Sequence, residues 1–306
     1  MPGIADIRPI SLSLVDSDLD AAAAAFGDAF ARTGFAVVAD HGVDQAIIDR
    51  ALAAAKALFA LPEEVKRAYV VAGQGGARGL TPFGIETAKD ANVSDLKEFW
   101  HVGRELPAGH VFRAFMQPNV WPAEVPEFEG AVLALYDALD FAGRRVLRAI
   151  AVHLALAPDF FDDTVRDGNS VLRLLHYPPI GADAPGIRAG AHEDINVITL
   201  LLGAEEAGLQ LLTRDGEWRD IDAPAGTLVC NIGDMLDRLT GGRLPSTTHR
   251  VVNPAPERRG HARYSTPYFL HFRPDYLIET LPGERPAAPI TAHDFLLQRL
   301  REIKLL

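Results

Sequence analysis

After Asn169 the chain becomes a succession of short strand-like runs, with turn residues between them and no helical pattern intervening. Val171 to Tyr177 leads into Pro178-Pro179, and Val197 to Leu202 ends at Gly203. The runs Leu209 to Leu212 and Trp218 to Ile221 flank an Asp215-Gly216 pair, a strong hairpin signal. Further runs follow at Thr227 to Asn231, His249 to Val252 and Tyr264 to Phe272. Parallel strands need crossover connections, so closely spaced strands without helices between them predict an antiparallel sandwich or jelly roll.

The first half reads differently. An Ala-rich stretch preceded by Ser17-Asp18 predicts a helix to about Arg32, stopped by Gly34. Gly34 to Val38 predicts a strand, and Val43 to Leu61 a second helix before Pro62. From Glu127 to Leu156 apolar residues at Val132, Leu135, Leu139, Val146 and Ile150 recur at helical intervals, predicting one long helix against a sheet, with Gly143 a candidate bend or break. His153 continues that stripe and reads as a core histidine. The tail from Ala292 to Leu306 predicts an amphipathic helix with Phe295, Leu296, Leu300 and Ile303 inward. The expected fold class is therefore mixed α and β, in one compact domain over 1–306. Within it, 5–125 holds helices and short strands, 126–166 the long helix, 167–275 the β core and 276–306 a C-terminal helix.

Composition narrows the partners. With 41 acidic and 30 basic residues the net charge is −11, which repels phosphate backbones and anionic membranes; a small-molecule substrate is the expectation, with no nucleic acid and no membrane. Nothing fixes an oligomeric state, and a monomer suffices. Cys230 is the only cysteine and lies in an apolar run, so a buried thiol in a reducing cytoplasm is expected. The N-terminus has no secretory pattern, and no apolar run approaches the roughly 18 residues of a membrane span.

The chemistry lies in the strand-rich half. His192-Glu193-Asp194 places an imidazole and a carboxylate two residues apart, on one side of an extended chain. With many acids present such a pair can arise by chance, so a third ligand on a separate strand is needed. His249 opens one, and two imidazoles with one carboxylate on one face of iron leave three positions for a chelating 2-oxo acid and O₂. Arg263-Tyr264-Ser265 puts a guanidinium and a hydroxyl on one strand face, suited to gripping a carboxylate; alone, such an arginine would more often be an ordinary surface residue. Tyr177 could donate a further hydrogen bond to the same anion. A zinc hydrolase could use the same three ligands, but it gives Arg263 and Ser265 no role.

These pieces stand in an ordered series with Gly34-Phe35, Asp40-His41-Gly42-Val43, Leu58 to Pro62, Arg78-Gly79, Phe83-Gly84, Asp95-Leu96-Lys97-Glu98, Tyr177-Pro178-Pro179, Gly208-Leu209-Gln210, Asn231-x-Gly233-Asp234, Thr240 to Arg243 and Ser246-x-x-His249-Arg250-Val251. On that series the chain resembles the isopenicillin N synthase-like family of Fe(II)/2-oxoglutarate-dependent dioxygenases, from about Ile10 to about Pro274. The resemblance implies a double-stranded β-helix core flanked by helices, Fe(II) at His192, Asp194 and His249, and a 2-oxoglutarate clamp at Arg263, Ser265 and Tyr177, with O₂ as the other co-substrate. Two departures stand out. Leu175-His176-Tyr177-Pro178 replaces the Asn-Tyr-Tyr-Pro common in plant members, and the long segment Asn253 to His261 suggests an extended hairpin loop.

The implied reaction oxidises a C–H bond of a small metabolite by hydroxylation, desaturation or cyclisation, releasing succinate and CO₂. Strand alternation turns Phe269 and His271 toward the same side as Arg263, making them candidate substrate contacts. The resemblance brings Arg78 and Phe83 toward the pocket mouth, and Arg188 precedes the iron motif closely enough to touch substrate. Two other readings share these residues. One is an isopenicillin N synthase-type oxidase that ignores 2-oxoglutarate; the other is a non-catalytic 2-oxoglutarate or metabolite sensor.

Overall fold

The computed structural model describes residues 7–73, 76–86, 94–181, 186–202 and 208–303, and in it the strand-rich half forms two sheets whose inner faces meet. The larger runs in the order Pro9–Ser11, Phe35–Ala39, Leu228–Ile232, Ile198–Leu202, Pro267–Leu270, Val171–Tyr177, Glu98–Gly103 and Gly79–Thr81, with Arg263–Ser265 also paired to Val171–Tyr177. The smaller runs Ala189–His192, His249–Val251, Leu209–Leu212, Trp218–Asp220. Pairing is antiparallel except where Pro9–Ser11 lies parallel to Phe35–Ala39. This is the expected jelly-roll core. Phe35, Val37 and Val229 of the large sheet pack on Leu211 of the small one, closing one end of the space between them.

Helices cover the outer face of the large sheet. The Ala-rich helix spans Leu19–Thr33; Asp18 caps it by accepting from the Ala21 amide at 3.0 Å, and Gly34 ends it at φ 72°, which a β-carbon would disfavour. The second helix spans Gln45–Phe59. The long helix Phe128–His153 runs unbroken through Gly143. That glycine is a point of close approach: a β-carbon there would lie 2.7 Å from Leu270 Cδ1 and 3.1 Å from Leu200 Cδ1. Gly27 performs the same service for His153, whose ring fills the space a β-carbon would take. Cys230 is a buried thiol in the large sheet, as expected.

Three expectations change. The run Tyr264 to Phe272 divides at Thr266 into strands Arg263–Ser265 and Pro267–Leu270, yet both keep one register against Val171–Tyr177, so the inward alternation survives the break. The segment 253–261 is no hairpin: His249–Val251 belongs to the small sheet and Arg263–Ser265 to the large one, so the loop, with a 3₁₀ turn at Pro256–Arg258, crosses between sheets. The C-terminal helix begins at Ala292, after a ribbon pairing Leu277–Ile278 with Ile290–Thr291, and Phe295 is its one fully buried apolar residue beyond Ala292; Leu296, Leu300 and Ile303 are half-buried. The turn expected at Gly203 and the helix end at 304–306 lie outside the described residues.

A buried ion pair ties the first half to the sheet. Lys66 Nζ donates to both Glu98 carboxylate oxygens at 2.7 and 2.8 Å, and His176 Nδ1 donates to Glu98 Oε1 at 2.7 Å. Burial opposes ionisation of Glu98, but the His176 and Lys66 hydrogen bonds hold its carboxyl below the usual carboxylate range. Removing one partner leaves a buried charge uncompensated, so Lys66→Met is expected to cost about 3–5 kcal/mol, read as a lower urea midpoint. Because the folded-state pKa is depressed, this stabilisation is complete above the ordinary carboxyl value of about 4.3 and is lost as pH falls through the folded value. The variant and parent midpoints should therefore converge in acid.

Candidate metal centre

His192, the last residue of its strand, stands directly across from His249, the first of the neighbouring strand, and their rings lie 4.4 Å apart. Asp194 follows two residues later. His192 Nε2 is 3.8 Å from Asp194 Oδ1, and His249 Nε2 is 3.8 Å from Oδ2. One ligand atom from each of the three residues falls within 4.8 Å of the others. His192 Nδ1 donates to the Gly190 carbonyl at 2.7 Å and His249 Nδ1 to the Thr247 carbonyl at 3.0 Å. Those bonds place the ring protons on Nδ1 and leave both Nε2 lone pairs for a cation.

The carboxylate is oriented just as firmly. Asp194 Oδ2 accepts from Thr199 Oγ1 at 2.5 Å and from Asn231 Nδ2 at 2.8 Å. Burial opposes its ionisation, but His249 and His192 hold the carboxyl below its usual range. Withdrawal from water, and then the neighbouring His249, push His192 down to about 4. Divalent-metal binding requires deprotonated ligands, and the lowered His192 and Asp194 suit it. The His192 side chain is 39% exposed while those of Asp194 and His249 are 6% and 9%, so the cluster opens on the His192 side. Phe35 closes the opposite side, edge-on to His249 at 5.5 Å.

Arg263 stands opposite Tyr177, and Ser265 opposite Leu175. All three expected clamp residues are buried, and the Arg263 guanidinium lies 5.1 Å from the Tyr177 ring. The same strand face continues through Pro267 to Phe269, which pairs with Thr199, the residue bonded to Asp194. The two histidines, carried by the small sheet, thus face the inner surface of the large sheet that bears the clamp, and Asp194 is bonded to that surface through Thr199 and Asn231. Leu175, standing where the family's asparagine would be, packs there with Phe99 and Tyr177.

The expected substrate contacts divide. Phe269 and His271 are on this face; His271 is buried, its Nδ1 donates to the Phe269 carbonyl at 3.1 Å, and burial pushes it down to about 4. Arg78 is not at a mouth. It is 2% exposed and donates to the Ala77 and Gln117 carbonyls, its guanidinium filling a slot that Gly103 leaves open: a β-carbon on Gly103 would lie 2.0 Å from Nη2. Arg188 is fully buried 5.7 Å from the Tyr177 ring, which places it beside the clamp. Phe83 is 43% exposed, and no ring contact joins it to the cluster among the described residues.

Sequence reasoning missed the groups that hold the cluster in place. Asp95 Oδ1 accepts from the Gly190 amide at 3.0 Å, while Lys97 Nζ bonds Asp95 at 2.8 Å and Glu86 at 2.6 Å, bracing the strand that delivers His192. Inward positions on the strands beside the ligands were the available signal for Thr199 and Asn231.

Comparisons with known proteins agree with this geometry. Residues 168–272 match the 2OG-Fe(II) oxygenase superfamily, and residues 6–124 match the N-terminal region described as that of a non-haem dioxygenase in morphine synthesis. A 2-oxoglutarate-Fe(II) type oxidoreductase from Emericella nidulans, hxnY, is 35% identical over 86% of this chain and 79% of its own. A crystal structure of a 2OG-Fe(II) oxygenase family protein from Caulobacter crescentus superposes with TM-score 0.91 at 60% identity, covering 98% of this chain and 99% of that one. A full-length Neurospora crassa protein crystallised in complex with 2-oxoglutarate superposes with TM-score 0.86 at 29% identity, covering 98% of both chains.

Proposed function

Because this chain belongs to the isopenicillin N synthase-like family of Fe(II)- and 2-oxoglutarate-dependent oxygenases, we propose that it oxidises one C–H bond of a free small molecule, with iron held by His192, Asp194 and His249. The observation that carries this reading is the convergence of three ligand atoms within 4.8 Å between the sheets, facing the surface of the large sheet that bears Arg263 and Ser265. The donor set fits the metal: two imidazoles fixed with Nε2 outward and one carboxylate would hold Fe(II) and leave it open to co-substrates. Bound Fe(II) and 2-oxoglutarate supply O₂ activation, with release of succinate and CO₂. This chain's own residues bind, orient and exclude water. Arg263 and Ser265 grip the far carboxylate of 2-oxoglutarate, Tyr177 donates to the same group, and the two sheets shut the floor of the site.

A small-molecule substrate is supported by relatives: the Neurospora crassa protein has also been crystallised with 2-oxoglutarate and thymine together. The net charge of −11 points the same way. The reading places the enzyme in the cytoplasm as a single domain; no helix among the described residues is long and apolar enough to cross a membrane. Its test is O₂-dependent conversion of 2-oxoglutarate to succinate by the Fe(II)-loaded protein, stimulated by a small-molecule panel. An enzyme that consumed O₂ with substrate but released no succinate would belong instead with the oxidases that ignore 2-oxoglutarate.

Hydrogen bonds to a metal-bound carboxylate orient it and set its basicity. Thr199→Val keeps the shape and removes the donor to Asp194, so it is expected to weaken Fe(II) binding about 10–100-fold. Competition with a calibrated chelator measures this, and an unchanged affinity would remove Thr199 from the account.

A further inference from the structure

Next to the metal cluster the inner face carries a polar pair that neither the metal nor the clamp uses. Arg173 shares this face with Tyr177 on one strand, across from His101. Its guanidinium lies 4.2 Å from the Phe99 ring centroid and 5.2 Å from that of Phe269. His101 Nδ1 donates to the Gly76 carbonyl at 2.6 Å, so its Nε2 is free to accept from Arg173 Nε, also at 2.6 Å. Arg173 Nη1 is 3.4 Å from Glu86 Oε2, the oxygen that Lys97 also holds. The arginine is therefore fixed on three sides. Its Nη2 and Glu86 Oε1 have no protein partner among the described residues, and the two side chains retain 19% and 15% exposure.

Position ties this pair to the chemistry. Phe269, which supports the guanidinium, pairs with Thr199, and Thr199 bonds Asp194. On the other side Glu86 connects through Lys97 and Asp95 to the Gly190 amide, two residues before His192. Charge selects among ligands. Arg173 and Lys97 are matched by Glu86 and Asp95. A balanced cluster offers no net attraction to an anion, and the Glu86 carboxylate would repel one. What the pair does offer is a donor beside an acceptor.

Resting on the oxygenase reading above, we propose that Arg173 and Glu86 recognise a cis amide of the primary substrate, of the kind a lactam ring presents. The guanidinium donates to the amide carbonyl, Glu86 accepts from the amide N–H, and Phe99 and Phe269 flank the ring. Sites that hydrogen-bond a substrate group discriminate strongly against analogues lacking it, because their buried polar atoms are left unpaired.

The test uses the Fe(II)-loaded enzyme with 2-oxoglutarate and a panel of methyl-substituted 2-pyridones and hydantoins, each beside its N-methylated counterpart, with methylbenzoates as carboxylates. At least one free lactam should raise succinate release tenfold or more over the release without addition, and its N-methyl counterpart should not. Arg173→Gln should raise the KM for that lactam tenfold or more, with Arg173→Lys recovering little, since lysine keeps the charge and loses the planar fork. Equal stimulation by the N-methyl compound, stimulation by carboxylates alone, no stimulation by any lactam, or full recovery by lysine overturns the proposal. Absence of succinate under every condition overturns the oxygenase reading, and this proposal falls with it.

Discussion

The Asp194→Ala protein is expected to retain no Fe(II) through gel filtration and to release no succinate. The carboxylate is the one anionic ligand in the cluster, and without it two imidazoles face a divalent cation alone. The change also strips Thr199 and Asn231 of their shared acceptor, and a buried donor left unmade costs about 1–3 kcal/mol. Lost metal and lost stability must therefore be separated. Asp194→Asn serves, because its amide oxygen still accepts from Thr199 and Asn231 while the charge is gone. The expected result is a thermal midpoint near that of the parent with iron affinity lost; Fe(II) retained at parental affinity in both variants would dismiss Asp194 as a ligand.

Much of this was legible in the sequence because it depends on local rules. Alternation along strands turned Arg263, Ser265 and Phe269 the same way, and the structure keeps that alternation across the break at Thr266. Asp18 and Gly34 bounded their helix correctly because capping is a property of a few adjacent residues. What escaped depends on which strands become neighbours. Arg78 looked like a mouth residue by its place in the chain, but the slot that buries it is made by Gly103, at the end of the strand that Gly79–Thr81 pairs with. The loop at 253–261 looked like a hairpin because its flanking strands are consecutive; only sheet assignment reveals a crossing. Arg173 gave no signal in sequence, since its meaning comes from Phe99, His101, Glu86 and Phe269, drawn from three separate stretches.

Arg263→Ala should chiefly weaken 2-oxoglutarate binding and leave the iron ligands standing. A guanidinium fork makes two hydrogen bonds to a carboxylate, each contributing about 1.5–3 kcal/mol when charge-assisted. Their loss together amounts to about 3–6 kcal/mol, or roughly a 10²–10⁴-fold rise in Kd. Arg263→Lys should recover part of this as a point charge that cannot match both oxygens. Anaerobic titration of the Fe(II) protein with 2-oxoglutarate, followed in the visible spectrum, measures the affinity directly. Arg188 complicates the size of the effect, for it lies against the same Tyr177 ring at 5.7 Å and could supply a second cation to the anion. If it does, the alanine variant falls at the lower end of the range and Arg188→Gln in that background takes it further. A 2-oxoglutarate affinity unmoved in both would mean that the co-substrate's far carboxylate is held elsewhere, and the facing sheets would lose their role in aligning clamp with metal.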